Sequence, residues 1–97
     1  MKTTKEYINL LRGFKQSHAD EYGINRMGLF GSVARGEQRE NSDIDVFFEA
    51  DRISLFRMGG LMYDLKKLFG APVDVVHSHK NMNPKFRQRI EKDMIYV

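Results

Sequence analysis

Apolar residues recur at intervals of three and four in three stretches, which predicts helices over residues 3–23, 54–70 and 84–97. Thr3 and Glu6 have the spacing of a capping box, and Asn83 followed by Pro84 is typical of a helix start. The middle helix has an apolar stripe formed by Leu55, Met58, Met62, Leu65 and Phe69. In that helix the pair Gly59 and Gly60 indicates either close packing or a kink.

Three shorter stretches have the composition of strands, namely "INRMGLF", "SDIDVFFEA" and "APVDVVHS". Alternation in the second places Ile44, Val46 and Phe48 on one face, and Phe47 lies on the other, as expected of a central strand. A helix-containing connection of about twenty residues joins the second and third strands, enough for a crossover. The pattern predicts one α+β domain over residues 1–97, a sandwich in which helices pack against a small mixed sheet.

The composition limits the class of protein. A chain of 97 residues with 41% hydrophobic content has a thin core, so we expect association, as a homo- or hetero-oligomer. The chain has no cysteine, no uninterrupted apolar signal segment and no run near the roughly 18 apolar residues of a membrane span, which predicts a cytoplasmic location without a membrane partner. The net charge of +3 is dispersed and favours anionic partners only weakly.

Three aspartates interrupt the predicted strands. Asp43 and Asp45 are two residues apart, so they share one face with Cβ atoms about 6 to 7 Å apart, and Asp74 joins them if the second and third strands are neighbours. Like charges about 4 Å apart repel by roughly 4 kcal/mol at an effective dielectric near 20, so the cluster needs a cation. Carboxylate oxygens favour Mg²⁺ or Mn²⁺. His77 and His79 alternate at a strand end but have no third ligand to indicate a metal site.

The first predicted strand ends in a Gly-Ser pair. Gly31 permits a close approach of the backbone to a ligand, and Ser32 at the opening of a helical turn offers N–H groups and a hydroxyl to a phosphate. A tight turn with Ser32 as a helix cap is the other interpretation of the pair alone. Arg35 and Arg39 follow in the connecting segment, where they can clamp phosphate oxygens.

The stretch "GSVARGEQRENSDIDVFFEA", with the later "PVDVV", resembles the signature of the minimal nucleotidyltransferases of the polymerase-beta-like superfamily. That signature is Gly-Ser, ten residues, Asp-x-Asp, and a later Asp in a strand, and every motif position matches. The resemblance covers most of the chain and implies a polymerase-beta-like nucleotidyltransferase core.

The resemblance also implies a reaction. In that family, aspartates at the positions of Asp43, Asp45 and Asp74 bind two Mg²⁺ ions, which hold a nucleoside triphosphate and activate a hydroxyl. Asp74 is implied to ligate the metal at the acceptor hydroxyl and to assist its deprotonation. The backbone around Gly31 and the Ser32 hydroxyl are implied to hold the β- and γ-phosphates.

Small proteins of this type resemble the antitoxins of toxin–antitoxin pairs whose toxin is a HEPN-family ribonuclease. The hypothesis that follows is a Mg²⁺-dependent protein adenylyltransferase that moves AMP from ATP to a tyrosine of its cognate toxin. Two alternatives stay open: an antitoxin that neutralises its partner by binding alone, and a nucleotidyltransferase that acts on a small molecule or RNA. No residue can be identified that selects among ATP, GTP, CTP and UTP.

Overall fold

Helices and strands alternate along residues 1–79 and 81–97, which are the residues that the structure, a computed structural model, describes. The elements are α1 (Thr4–Tyr22), β1 (Ile24–Phe30), α2 (Gly31–Ala34), β2 (Ile44–Ala50), α3 (Leu55–Phe69), β3 (Val73–Ser78), α4 (Pro84–Glu91) and β4 (Ile95–Tyr96). The strands form one sheet in the order β3-β2-β1-β4. Strand β1 is antiparallel to both β2 and β4, whereas β2 and β3 are parallel and are joined by the crossover helix α3. The predicted mixed sheet with helices against it is confirmed.

Helix α1 begins and ends where the sequence predicts. The Thr3 hydroxyl accepts a hydrogen bond from the Glu6 backbone N–H at 3.2 Å, and the Glu6 carboxylate accepts one from the Thr3 N–H at 2.9 Å. Gly23 ends the helix in the left-handed conformation, with φ of 68°. Neither this 19-residue helix nor any other in the described chain is long and apolar enough to cross a bilayer.

The two faces of β2 belong to two different apolar clusters. Ile44, Val46 and Phe48 are buried in the main core, which includes residues of α1, β1 and α3. On the opposite face, Phe47 is fully buried in a smaller cluster with Phe30 and Ile90, and Ile90 belongs to α4. Alternation along β2 therefore separates a core face from a second face, and Asp45 projects from the second.

The apolar stripe predicted for α3 is only partly correct. Its buried residues are Leu61, Leu65 and Phe69, whereas Leu55 is 93% exposed and the neighbouring Phe56 is 91% exposed. Leu55 and Phe69 are two heptads apart, so a drift of about 20° per heptad rotates Leu55 by about 40° from the direction of Phe69 in a straight helix. Leu55 also lies in the first turn and stays in solvent.

The two adjacent glycines of α3 have different surroundings. A Cβ at Gly60 would lie 3.3 Å from the Tyr22 hydroxyl, which donates a 2.5 Å hydrogen bond to the Asp64 carboxylate. A Cβ at Gly59 would have no atom within 4 Å. Gly60 therefore serves close packing between α1 and α3, and Gly59 has no packing role in the described structure.

We expect Gly59→Ala to stabilise the protein by about 0.5 to 1 kcal/mol, because alanine is the better helix former and its methyl group meets no neighbour. Gly60→Ala should gain less or lose stability, because its methyl group displaces the Tyr22 hydroxyl. Thermal unfolding of both variants checks this, since about 1 kcal/mol shifts Tm by roughly 4 to 8 °C at this size. Equal gains from the two substitutions would contradict the packing role of Gly60.

The predicted helix over residues 84–97 is too long. Asn83 caps it as predicted, with its side chain accepting from the Lys85 N–H at 2.9 Å, but α4 ends at Glu91. Ile95 and Tyr96 instead form β4, which pairs with the edge of β1. Pairing with the edge of β1 gives the backbone groups of Ile95 and Tyr96 the hydrogen-bond partners that a further helical turn would otherwise supply. A β-branched and an aromatic residue also suit a strand.

Candidate active site

Three aspartates lie together at one end of the second sheet face. Asp45 of β2 is directly in register with Asp74 of β3, and neighbouring strands are about 4.8 Å apart. Asp43 lies just before β2, two residues from Asp45, so its side chain projects to the same side. The sequence predicted that Asp74 would join the other two aspartates if the second and third strands were neighbours. They are neighbours, because α3 returns the chain to a parallel position beside β2.

The middle carboxylate of this cluster is the most perturbed. Burial raises the pKa of Asp45 to about 6, and the charges of Asp74 and then Asp43 add to the rise. Arg35 acts in the opposite direction and lowers the pKa of Asp45, as the last of these causes. Asp45 is partly buried while Asp43 and Asp74 are exposed, so the energetic cost of the cluster falls mainly on Asp45.

Gly31 meets the Asp45 carboxylate directly. Its φ is +72°, and a Cβ added there would lie 2.1 Å from Asp45 Oδ2. Any side chain here would be strained by the left-handed φ and would force the Asp45 carboxylate to move. The sequence predicted a close approach of the backbone to a ligand at this glycine, and the group that lies against it in the structure is the side chain of Asp45.

Ser32 lies in the first turn of α2 and is partly buried. The N-cap position belongs to Phe30, so Ser32 is not the cap of this helix. Its carbonyl accepts a hydrogen bond from the Glu37 N–H at 2.8 Å. Within the described chain the Ser32 hydroxyl makes no hydrogen bond, which leaves it available at the turn that contacts Asp45.

The two predicted phosphate-binding arginines differ in their surroundings. Arg35 directly follows α2, and its guanidinium donates to Asp93 at 2.9 Å and to Glu37 at 3.2 Å. These carboxylates, Asp93 first, raise the pKa of Arg35 above its ordinary value. Arg39 is exposed, and among the described residues its recorded contacts are backbone hydrogen bonds with Ser42. Among the described residues, Arg35 therefore forms ion pairs with Asp93 and Glu37, whereas Arg39 forms none.

Sequence reasoning missed three side chains around this turn. Asp93 and Glu37 hold Arg35, and Thr4 of α1 donates to the Val33 carbonyl at 2.6 Å. Asp93 is 58 positions from Arg35 and belongs to no motif, so no sequence pattern indicates the pair. Glu37 is close to Arg35 in sequence, but its role depends on side-chain orientation.

The two histidines at the end of β3 have structural contacts. His77 donates from Nε2 to the Ala50 carbonyl at 2.9 Å, and its ring stacks on Phe48 with centroids 4.8 Å apart. His79 accepts from the Asn81 N–H at 3.2 Å. A cavity of about 860 Å³ lies near this end, lined in part by His79 and Arg87, at the opposite end of β2 and β3 from the aspartates.

The donor set at the aspartates fits a hard divalent cation. Mg²⁺ is bound mainly by oxygen ligands such as carboxylates. Burial first, and then the charges of Asp74 and Asp43, raise the pKa of Asp45, and a cation would offset those two neighbouring charges. In residues 1–79 and 81–97, no three His, Asp or Glu side chains form a ready-made metal-binding group. Mg²⁺ does not require one, because it typically keeps several waters and shares substrate phosphates with one or two carboxylates.

The mixed sheet carries neighbouring carboxylates on two parallel strands, beside a Gly-Ser turn. The sequence pattern of the family described as polymerase beta, nucleotidyltransferase, matches residues 14–97. The chain belongs to this polymerase beta nucleotidyltransferase family, and it is an enzyme of that class.

Two relatives are similar over nearly the whole length of both chains. An inferred protein adenylyltransferase of Methanocaldococcus jannaschii is 40% identical, with 100% of both chains covered. The protein adenylyltransferase MntA of Thermococcus cleftensis is 30% identical, with 100% of this chain and 98% of that protein covered. The family predicted from the motif is therefore confirmed.

Solved structures give the same fold. A protein described as an inferred minimal nucleotidyltransferase is 31% identical and superposes with a TM-score of 0.80, covering 99% of this chain and 97% of its own. A chain from a crystal structure of a toxin–antitoxin with AMP-PNP is 22% identical, with a TM-score of 0.74 over 91% of this chain and 69% of that one. The second likeness concerns the fold alone. The predicted polymerase-beta-like core is confirmed.

Proposed function

We propose that this chain is a protein adenylyltransferase that transfers AMP from ATP to a tyrosine hydroxyl of a cognate HEPN-family ribonuclease toxin and thereby acts as its antitoxin. The observation that carries the catalytic part is the register of Asp45 and Asp74 beside Gly31, with Asp43 two residues before Asp45. The names of the relatives support a protein as acceptor, and the toxin–antitoxin structure with AMP-PNP, an ATP analogue, supports the nucleotide and the kind of partner.

Asp43, Asp45 and Asp74 would hold two divalent cations, Mg²⁺ or Mn²⁺. When bound, such cations supply charge stabilisation to both the attacking and the leaving oxygen of an in-line displacement. The chain's own contribution is to hold the carboxylates fixed: β2 carries Asp45, the parallel β3 carries Asp74, and Gly31 leaves room for Asp45 Oδ2.

The Gly31–Ser32 turn would bind the β- and γ-phosphates. N–H groups in the first turn of a helix have no intrahelical partner, and they point along the helix axis toward an anion. The Ser32 hydroxyl adds a further donor, and Arg35, whose charge lowers the pKa of Asp45, would supply a cationic group for phosphate oxygens. Arg39 stays a predicted phosphate contact that requires its loop side chain to turn toward the nucleotide.

Asp74 would face the acceptor. It is exposed and lies on β3, the edge strand of the sheet, so a tyrosine of a partner can approach it from outside. The tyrosine oxygen forms a bond to the α-phosphorus while the bond from that phosphorus to the bridging oxygen of the β-phosphate breaks. Pyrophosphate leaves, and the hydroxyl proton passes to the Asp74 carboxylate.

Neutralisation by binding alone is the second candidate, and the carboxylate cluster argues against it. Burial and two neighbouring charges raise the pKa of Asp45, which means that keeping three aspartates here is unfavourable for the folded chain. A protein that acts only through its surface gains nothing from that arrangement.

The test uses ATP labelled at the α- or γ-phosphate, with Mg²⁺ and the protein encoded by the adjacent gene. We expect the α-label, and not the γ-label, to become attached to the partner and to be lost when the acceptor tyrosine is changed to phenylalanine. Asp43→Ala and Asp45→Ala should abolish labelling. If the toxin is still neutralised by both variants, binding alone is the function. Labelling of RNA or an aminoglycoside in place of the partner would establish the other acceptor class.

A further inference from the structure

The contact between Arg35 and Asp93 links the C-terminal segment to the turn that faces the aspartates. Arg35 Nη1 lies 2.9 Å from Asp93 Oδ2, and Arg35 Nε lies 3.2 Å from Glu37 Oε2. The third nitrogen, Nη2, has no hydrogen bond to any described residue. Two carboxylates thus hold the guanidinium through Nε and Nη1, and the N–H groups of Nη2 make no hydrogen bond to a described residue and can serve a ligand.

The backbone around Asp93 is fixed by the sheet. Residues Ile95 and Tyr96 pair with Leu29 and Gly28, and the Met94 N–H donates to the Glu91 carbonyl at 3.3 Å. A Cβ at Gly28 would lie 2.8 Å from the Ile95 carbonyl oxygen, so this segment lies in close contact with β1. Asp93 is therefore anchored independently of the loop that carries Arg35.

The side-chain conformation of Arg35 depends on these contacts. Arg35 follows the four-residue helix α2 and precedes the loop that contains Arg39, and its side chain is 42% exposed. A long exposed side chain loses conformational entropy when it is fixed, so an anchored carboxylate that fixes it beforehand lowers the entropic cost of binding a phosphate.

We propose that Asp93 is a positioning residue for the nucleotide: from the α4–β4 turn it fixes the guanidinium of Arg35, the residue that directly follows the helix opened by Gly31 and Ser32, ready for the triphosphate. The inference rests on the proposed function, because it assigns Arg35 to the phosphates of ATP. It extends the site to a part of the chain outside the Gly-Ser and Asp-x-Asp motifs.

The test compares Asp93→Asn with Glu91→Gln as the matched control. Glu91 lies on the same segment and pairs with Arg87 at 3.8 Å, away from Arg35. Isothermal titration with AMP-PNP and Mg²⁺ gives Kd, and transfer of labelled AMP to the partner gives KM and kcat. Loss of an exposed ion pair changes an equilibrium constant by up to about fivefold. We therefore expect Asp93→Asn to raise Kd and KM by about three- to fivefold. Because the contact serves binding and not the chemical step, kcat should change by less than about twofold.

A double-mutant cycle decides whether Asp93 acts through Arg35. Arg35→Gln should raise Kd by about tenfold or more, as expected for a lost charge-assisted hydrogen bond to phosphate. Adding Asp93→Asn to Arg35→Gln should then raise Kd no further. Asp93→Glu, which keeps the carboxylate, should bind the nucleotide more tightly than Asp93→Asn does.

Three results would overturn the proposal. The first is an unchanged Kd in Asp93→Asn, and the second is an equal rise of Kd in Glu91→Gln. The third is an equal further rise of Kd when Asp93→Asn is added to Arg35→Gln. A change in Tm without a change in Kd would assign Asp93 a purely structural role, which also contradicts it. If the wild-type protein binds AMP-PNP normally in these cases, only the role of Asp93 fails. If the wild type does not bind the nucleotide, the proposed function fails with it.

Discussion

Replacing Asp45 by asparagine will abolish nucleotidyl transfer and will make the metal-free protein more stable at neutral pH. Asp45 is proposed to hold a divalent cation, and loss of such a carboxylate removes several kcal/mol of transition-state stabilisation, so we expect the rate to fall by at least about a thousandfold. Stability should change in the opposite direction, because Asp45 is ionised in a partly buried position beside two other carboxylates. Activity and stability therefore place opposite demands on this residue.

The pH dependence follows from the raised pKa. The pKa of Asp45 is about 6 in the folded protein against an ordinary value of 3.8. A group with a raised folded-state pKa contributes stability that is fully present below pH 3.8 and is lost as the pH rises through about 6. A neutral asparagine escapes that loss, so the advantage of Asp45→Asn should be absent near pH 3.5 and complete above about pH 7.

The stability advantage of Asp45→Asn is about 1 kcal/mol, after discounting the pKa difference for the partial solvent exposure of Asp45. That corresponds to a rise in Tm of about 5 °C at pH 7.5 without divalent cations. Thermal unfolding from pH 3.5 to 8 measures it. Asp43→Asn is the matched control, and it should also abolish transfer. Because Asp43 is exposed, its replacement should raise Tm by less. A Tm of Asp45→Asn at or below that of the wild type at pH 7.5 would refute the burial argument.

Gly31→Ala will inactivate the enzyme by displacing Asp45. The new methyl carbon would lie 2.1 Å from Asp45 Oδ2 and 3.0 Å from its Cγ, so the carboxylate must move away from the turn. Misplacement of a reacting group by about 1 Å costs about a hundredfold in rate, and we expect at least that loss in kcat/KM. The left-handed φ of +72° adds backbone strain of about 1 to 2 kcal/mol for alanine.

Gly36→Ala separates the clash from the strain. Gly36 has nearly the same φ, +71°, but a Cβ there would lie no nearer than 3.9 Å to Thr4 Oγ1. Both variants should lose similar stability from strain, while only Gly31→Ala should lose transfer activity by a hundredfold or more. Comparable activity in the two variants would mean that the position of Asp45 does not depend on the contact with Gly31.

Local features of the fold were predictable because their causes are local. The capping box of Thr3 and Glu6, the left-handed Gly23 and the alternation along β2 each depend on residues within a few positions of one another. The failures occurred where packing chose between similar patterns. Leu55 matches a helical stripe but points into solvent, and residues 95–96 fit a helical pattern until the edge of β1 becomes available.

The motif alone was enough to propose the residues of the site: the Gly-Ser turn, the Asp-x-Asp pair and a third aspartate in another strand. The folded chain was needed to show that Asp74 lies in register with Asp45, that Gly31 faces Asp45 Oδ2, and that Asp93 reaches Arg35 across 58 positions. Side-chain periodicity specifies which residues share a face within one element. The register and packing between elements depend on how the whole chain buries its core, and periodicity within one element carries no information about that.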